Sequence, residues 1–93
     1  MIAREGNRLL IQVPMVMGTA RSLLEAGRAC LDAQEWVVDL SGVGEADSSG
    51  LAVLLEWQRC CRACGGSLRV EGMPPGLAAL ADLYDLGAAF SRA

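Results

Sequence analysis

The stretch Glu35-Trp36-Val37-Val38-Asp39-Leu40-Ser41-Gly42-Val43-Gly44-Glu45-Ala46-Asp47-Ser48-Ser49-Gly50-Leu51-Ala52-Val53-Leu54-Leu55 holds the parts of a strand-to-helix connection in order. Glu35 to Leu40 is β-branched and aromatic at its centre, which suits a strand. Its continuous apolar character predicts a central strand covered on both faces. Ser41 to Ala46 is a glycine-rich connection. Asp47-Ser48-Ser49-Gly50 then leads into Leu51-Ala52-Val53-Leu54-Leu55, a helix that runs to about Cys64 and is closed by Gly65-Gly66.

Working outward, Arg8 to Val13 is short and aliphatic and stops at Pro14, where the backbone loses a donor. It reads as the first strand. From Thr19, a candidate N-cap, the residues Ala20, Leu23, Leu24, Gly27 and Leu31 recur at three-and-four spacing. Arg21, Glu25, Arg28 and Asp32 take the other side, giving an amphipathic helix. Gly27 costs that helix about 1 kcal/mol relative to Ala, so packing must contribute. Ser67 to Gly72 alternates as a half-buried strand does. Met73-Pro74-Pro75-Gly76 turns the chain, with Pro75 suited to a first helical turn, and a last helix spans Leu77 to about Tyr84. Strand and helix alternate three times, which predicts an α/β fold. Its small sheet is mostly parallel or mixed, with right-handed crossovers and about three to four covering helices.

With 93 residues, 53% of them hydrophobic and 20% charged, the chain suits a single folded domain over 1–93 whose thin stability margin favours a protein partner. The net charge is −3 and the arginines are scattered along the chain, so there is no electrostatic footprint for nucleic acid. The amino-terminal stretch lacks the pattern of a signal peptide, and no apolar run approaches the roughly 20 residues of a membrane span. A cytoplasmic protein without direct membrane insertion is expected, peripheral at the inner membrane only through a partner. Of the four cysteines Cys30, Cys60, Cys61 and Cys64, Cys60 and Cys61 diverge by about 100° on a helix. The chain has no His to complete a metal set, so the thiols read as reduced core residues and no metal or cofactor is expected.

In open α/β sheets the working crevice lies beyond the carboxyl ends of the strands, which is where Asp47-Ser48-Ser49-Gly50 falls. A helix start needs one side-chain cap, and this one offers two hydroxyls and a carboxylate. Asp47 or Ser49 can serve as cap, leaving Ser48 to face solvent, while Gly50 would let a partner approach the backbone. The four residues alone favour an ordinary cap. Catalysis by Ser48 lacks a base, since there is no His, and lacks the Gly-x-Ser-x-Gly elbow. The glycines form neither a dinucleotide fingerprint nor a P-loop, so an enzyme is not expected.

Val37-Val38-Asp39-Leu40-Ser41-x-Val43 followed by Asp47-Ser48-Ser49-Gly50-Leu51-Ala52-Val53-Leu54-Leu55 resembles the signature of STAS domains, over about Leu9 to Phe90. The resemblance implies a single STAS-like domain and two possible roles. In the anti-sigma-factor antagonists of this family, the serine matching Ser48 is phosphorylated by a partner kinase. The helix start and Leu80-Ala81-Asp82-Leu83-Tyr84-Asp85-Leu86 resemble the MlaB-type branch, the small STAS subunits of Mla phospholipid-transport ABC complexes. That branch implies a non-catalytic subunit that binds and stabilises or regulates an ABC-type ATPase, and through it a permease, with Ser48 on the ATPase-binding surface. The turn Pro14-Met15-Val16-Met17 departs from both branches, which commonly carry a Gly and an acidic residue there. The partner-binding set implied is Asp47, Ser48, Ser49, Gly50, Leu51, Leu54 and Trp57, with Ser48 the candidate phosphosite. Trp57, two turns after Gly50, reads equally well as part of this surface or as packing against a neighbouring helix. Leu54 and Cys61 share its side. Met15 and Met17 read as gap-filling core or edge residues.

Overall fold

Strand and helix alternate along this chain from Arg8 onward, and each helix leads to the next position in the sheet. A computed structural model describes residues 2–83 and 91–92. Ile2–Glu5 (β1) and Arg8–Ile11 (β2) pair antiparallel; Met17–Cys30 (α1), Glu35–Asp39 (β3), Ser48–Ala63 (α2), Ser67–Glu71 (β4), Pro75–Leu83 (α3) and Ser91–Arg92 (β5) follow. The strands lie in the order β1-β2-β3-β4-β5, parallel from β2 onward. The mixed sheet and the helices beside it are the expected α/β fold. The end of the last predicted helix at Tyr84, and Tyr84-Asp85-Leu86 of the carboxyl-terminal motif, lie outside the described residues.

The strand order never reverses. Right-handed crossovers taken repeatedly in one direction place every intervening helix on the same face of the sheet. Burial agrees: Leu9, Ile11, Trp36, Val38, Leu68 and Val70 point into the core, while Arg8, Leu10, Val37, Asp39, Arg69 and Glu71 alternate with them and stay partly or fully exposed. The expectation that β3 is covered on both faces is therefore wrong. Its apolar run reflects one core face plus Val37, which is only half-buried on the open face. On that open face Arg8 Nη2 reaches Asp39 Oδ2 at 3.1 Å and Glu71 Oε1 at 2.6 Å, tying three adjacent strands. Both carboxyls are held below their ordinary range, Asp39 chiefly by the hydroxyl and N–H of Ser41 and Glu71 chiefly by Arg8.

Two local expectations shift and one holds. The first strand ends at Ile11 and not Val13, and it pairs with β1, which periodicity over so short a segment did not reveal. The signal was Gly6-Asn7: Glu5 faces Arg8, so these two residues are the whole hairpin loop, and Gly6 has φ +60°. Thr19 is not the N-cap of α1. It sits one turn inside, accepting from Val16 N–H at 3.1 Å and donating to Pro14 O at 2.6 Å, because Val16 at the cap has no side-chain acceptor. The closure of α2 is as read. Gly66 N–H reaches Cys61 O at 2.8 Å and Gly65 N–H reaches Arg62 O at 3.0 Å, with Gly65 at φ +85°. This doubly bonded ending requires a left-handed residue at the Gly65 position.

α1 crosses α2 at a notch. The indole of Trp57 is completely buried, and a Cβ at Gly27 would lie 2.1 Å from its Nε1. The helical penalty of Gly27 is thus what lets a Trp fit between the helices. Its Nε1–H finds no acceptor among the described residues, so this close packing stands without a polar anchor. Beside it Glu56 bridges both helices, meeting Arg59 Nη2 at 2.6 Å and Arg28 Nη2 at 2.8 Å, and the two guanidiniums, Arg59 first, hold its carboxyl at about 2. Burial pushes the Cys61 thiol up to about 11, so it stays protonated at neutral pH and behaves as a core side chain.

Gly27→Ala should destabilise the fold by about 1–3 kcal/mol in urea titrations, because the added methyl overlaps a rigid indole. Gly18→Ala, where a Cβ meets open space, should be neutral or slightly stabilising. Glu56 carries a folded value below its unfolded one, so its contribution is present above pH 4.5 and fades as pH falls toward 2. Melting curves of Glu56→Gln should show a deficit against wild type at pH 7 that closes across that window.

Candidate docking site

The loops after β2 and β3 are stitched together just past the carboxyl ends of the strands. Met15 N–H reaches Glu45 O at 2.8 Å and Asp47 N–H reaches Met15 O at 3.0 Å, an isolated parallel bridge between Met15 and Ala46 that prolongs the β2–β3 pairing. The two chains then turn into α1 and α2, whose amino ends lie side by side. Asp47 is the N-cap of α2, its Oδ1 accepting from Ser49 N–H at 2.8 Å. Its other oxygen, Oδ2, accepts from Met17 N–H at 3.2 Å, the first residue of α1. One carboxylate therefore caps two helices. The Ser49 N–H, then that of Met17 and the Ser49 hydroxyl, hold Asp47 below the ordinary carboxylate range. At neutral pH it is an anion facing two positive helix ends.

This division of labour is one that the loop chemistry allowed: Asp47 caps, Ser49 is half-buried, and Ser48 stands exposed on the rim. The other expected docking residues are elsewhere. Leu51 is 4% exposed, and Leu54 and Trp57 are fully buried. These three face the sheet, α1 and α3, because the same side of α2 that follows Gly50 is its core side. Nor does Gly50 open the backbone to a partner. It is buried, and a Cβ there would lie 3.3 Å from Met15 and 3.4 Å from Leu77, so its smallness admits the chain's own side chains. The solvent side of α2 instead carries Ser48, Ala52 and Arg59. Met15 is core as expected, but Met17 is 80% exposed beside Asp47. The sequence missed Met17 because two methionines two residues apart carry no sign of which faces inward.

The rim is not a crevice. Ligand clefts of open α/β sheets form where strand order reverses, and this parallel order has no reversal. A surface depression lies at the opposite, amino ends of β3 and β4, lined by Asn7, Glu35, Trp36, Val37, Ser67, Leu68 and Arg69. There the Asn7 amide already donates to Glu35 O at 2.6 Å. The Asp47 edge presents a hydroxyl, a carboxylate and two helix starts side by side, groups that a protein partner can read.

The architecture is that of STAS domains. It matches the crystal structure of a protein described as an anti-sigma factor antagonist from Thermotoga maritima with TM-score 0.81 and 12% identity, covering 99% of this chain and 83% of that one. The anti-sigma factor antagonist SpoIIAA in its unphosphorylated form matches with TM-score 0.73 and 10% identity, over 100% of this chain and 86% of that one. A sulfate transporter family protein from Wolinella succinogenes matches with TM-score 0.70 and 19% identity, over 91% and 70% of the respective chains. At such identities these likenesses show the fold. The chain itself belongs to the family described as MlaB, STAS domain, whose model matches residues 3–90. No curated protein sequence matches it.

Asp47→Ala should lower the melting temperature and speed amide exchange at Met17 as well as at Ser49, measured by NMR-detected hydrogen exchange. Acceleration at Ser49 alone would mean that α1 does not depend on the shared carboxylate.

Proposed function

We propose that this chain is a non-catalytic accessory subunit of an ABC-type phospholipid transporter of the Mla type, acting in outer-membrane lipid asymmetry. It docks on the cytoplasmic ATPase subunit through the Asp47–Gly50 edge and the exposed side of α2, and stabilises or regulates that ATPase. The observation that carries this reading is the family match over residues 3–90 to the MlaB description. The geometry supports it: Ser48 is exposed on the rim, with Asp47 fixing the backbone around it, and a preformed rim loses little freedom on docking. Among the described residues no helix is long and apolar enough to cross a membrane, so in this reading the membrane is reached through the ATPase and permease.

The second reading, an anti-sigma-factor antagonist switched by phosphorylation of Ser48, is favoured by the exposure of Ser48 and by the fold shared with two proteins so described. A phosphate there would add about two negative charges beside the Asp47 carboxylate and repel a partner fitted to the neutral hydroxyl.

Ser48→Arg should abolish co-purification with the ABC-type ATPase while circular dichroism and melting stay as in wild type, since the side chain is outside the core. A wild-type chain that ignores the ATPase but gains one phosphate at Ser48 from an anti-sigma kinase and ATP, read by intact mass, would replace the transporter reading with the antagonist one.

A further inference from the structure

We infer that Met17 is the apolar anchor of the docking edge, and that it seats in an apolar socket on the partner protein flanked by a cation. This rests on the docking role proposed above and adds residues outside Asp47–Gly50 that the partner reads. Met17 and Leu83 are the large hydrophobic side chains left exposed among the described residues, and Met17 is 80% exposed where Met15 is fully buried. Nothing in the fold needs that side chain. The tie between α1 and Asp47 uses the Met17 backbone N–H, so any residue with an N–H could make it.

The same bond fixes where the side chain stands. With the Met15 bonds to Glu45 and Asp47 it holds the start of α1 against the start of α2, so that Met17 and Ser48 share one edge. Ala52 is exposed one turn along from Ser48, Gly18 next to Met17 has open space where a Cβ would be, and the exposed Arg21 one turn along α1 is turned to Glu25 at 3.5 Å. A long, flexible thioether left in solvent is a knob, and a knob of this chemistry is stabilised by an apolar hole to which it can adapt. The charge of the edge narrows the partner further. Glu45 is exposed, forms no ion pair among the described residues, and lies on the loop that carries Asp47, in a chain of net charge −3. Complementarity then calls for an Arg or Lys beside the socket, where it would steer association and fix the register of docking.

Isothermal titration of the full chain into the purified ABC-type ATPase subunit tests this, with melting curves of each variant as the check on folding. Met17→Ser and Met17→Gln should each weaken Kd about tenfold with melting unchanged, and Met17→Leu should bind within about twofold of wild type. Glu45→Lys should slow association more at low salt than at high salt. If both polar variants at Met17 bind like wild type while Ser48→Arg does not bind, the anchor is overturned and the docking edge stands. If Ser48→Arg also binds like wild type, or wild type does not bind at all, the docking reading fails and takes the anchor with it.

Discussion

The carboxylate of Asp47 lies between the amino ends of two helices that start 31 residues apart in the chain, at Met17 and Ser48. Each helix start leaves N–H groups that its own turns cannot satisfy, and each carries a partial positive charge. Two such ends brought side by side would repel and remain unsatisfied. An ionised acid between them answers both problems at once, and the backbone bonds of Met15 to Glu45 and Asp47 bring it within reach. The exposure of Ser48, the half-burial of Ser49 and the placement of Met17 follow from this one arrangement. The candidate site is therefore built into the joint between two β-to-α connections and is not an appendage on a loop.

That joint exists because the helices are neighbours on one face of the sheet. A strand order without reversal fixes the side, and the Gly27 notch fixes the depth at which α1 crosses α2. A larger residue at that notch would hold Trp57 off and separate the helix starts that Asp47 spans. Glu56 reinforces the same crossing from the solvent side with two guanidiniums. The opposite face of the sheet uses a different device. There Arg8 satisfies acids from two other strands, so the half-buried polar row needs no covering layer to be stable.

The likeness to transporter-associated and sigma-antagonist domains fits this division. The shared element is the scaffold, a sheet with helices on one side. What distinguishes members of such a fold is the decoration of its rim, and here the decoration includes an exposed thioether and an acid on the paired loops.

The sequence by itself determined the elements whose causes are local. The periodicity of Leu23, Gly27 and Leu31 gave α1, the Asp47 cap gave the start of α2, and Gly65-Gly66 gave its end, because caps and turns act over a few residues. It also offered Asp47 or Ser49 as the cap with Ser48 left to face solvent, although the four residues alone favoured an ordinary cap. Only the tertiary structure decided which side of α2 faces out. Leu54 and Trp57 went inward because Gly27, distant in sequence, left room for an indole. Gly50 closed against Met15 and Leu77 for the same kind of reason, with Met15 taken into the core and Met17 left in solvent. Such outcomes depend on which distant surface arrives opposite a side chain, and no local pattern encodes that arrival.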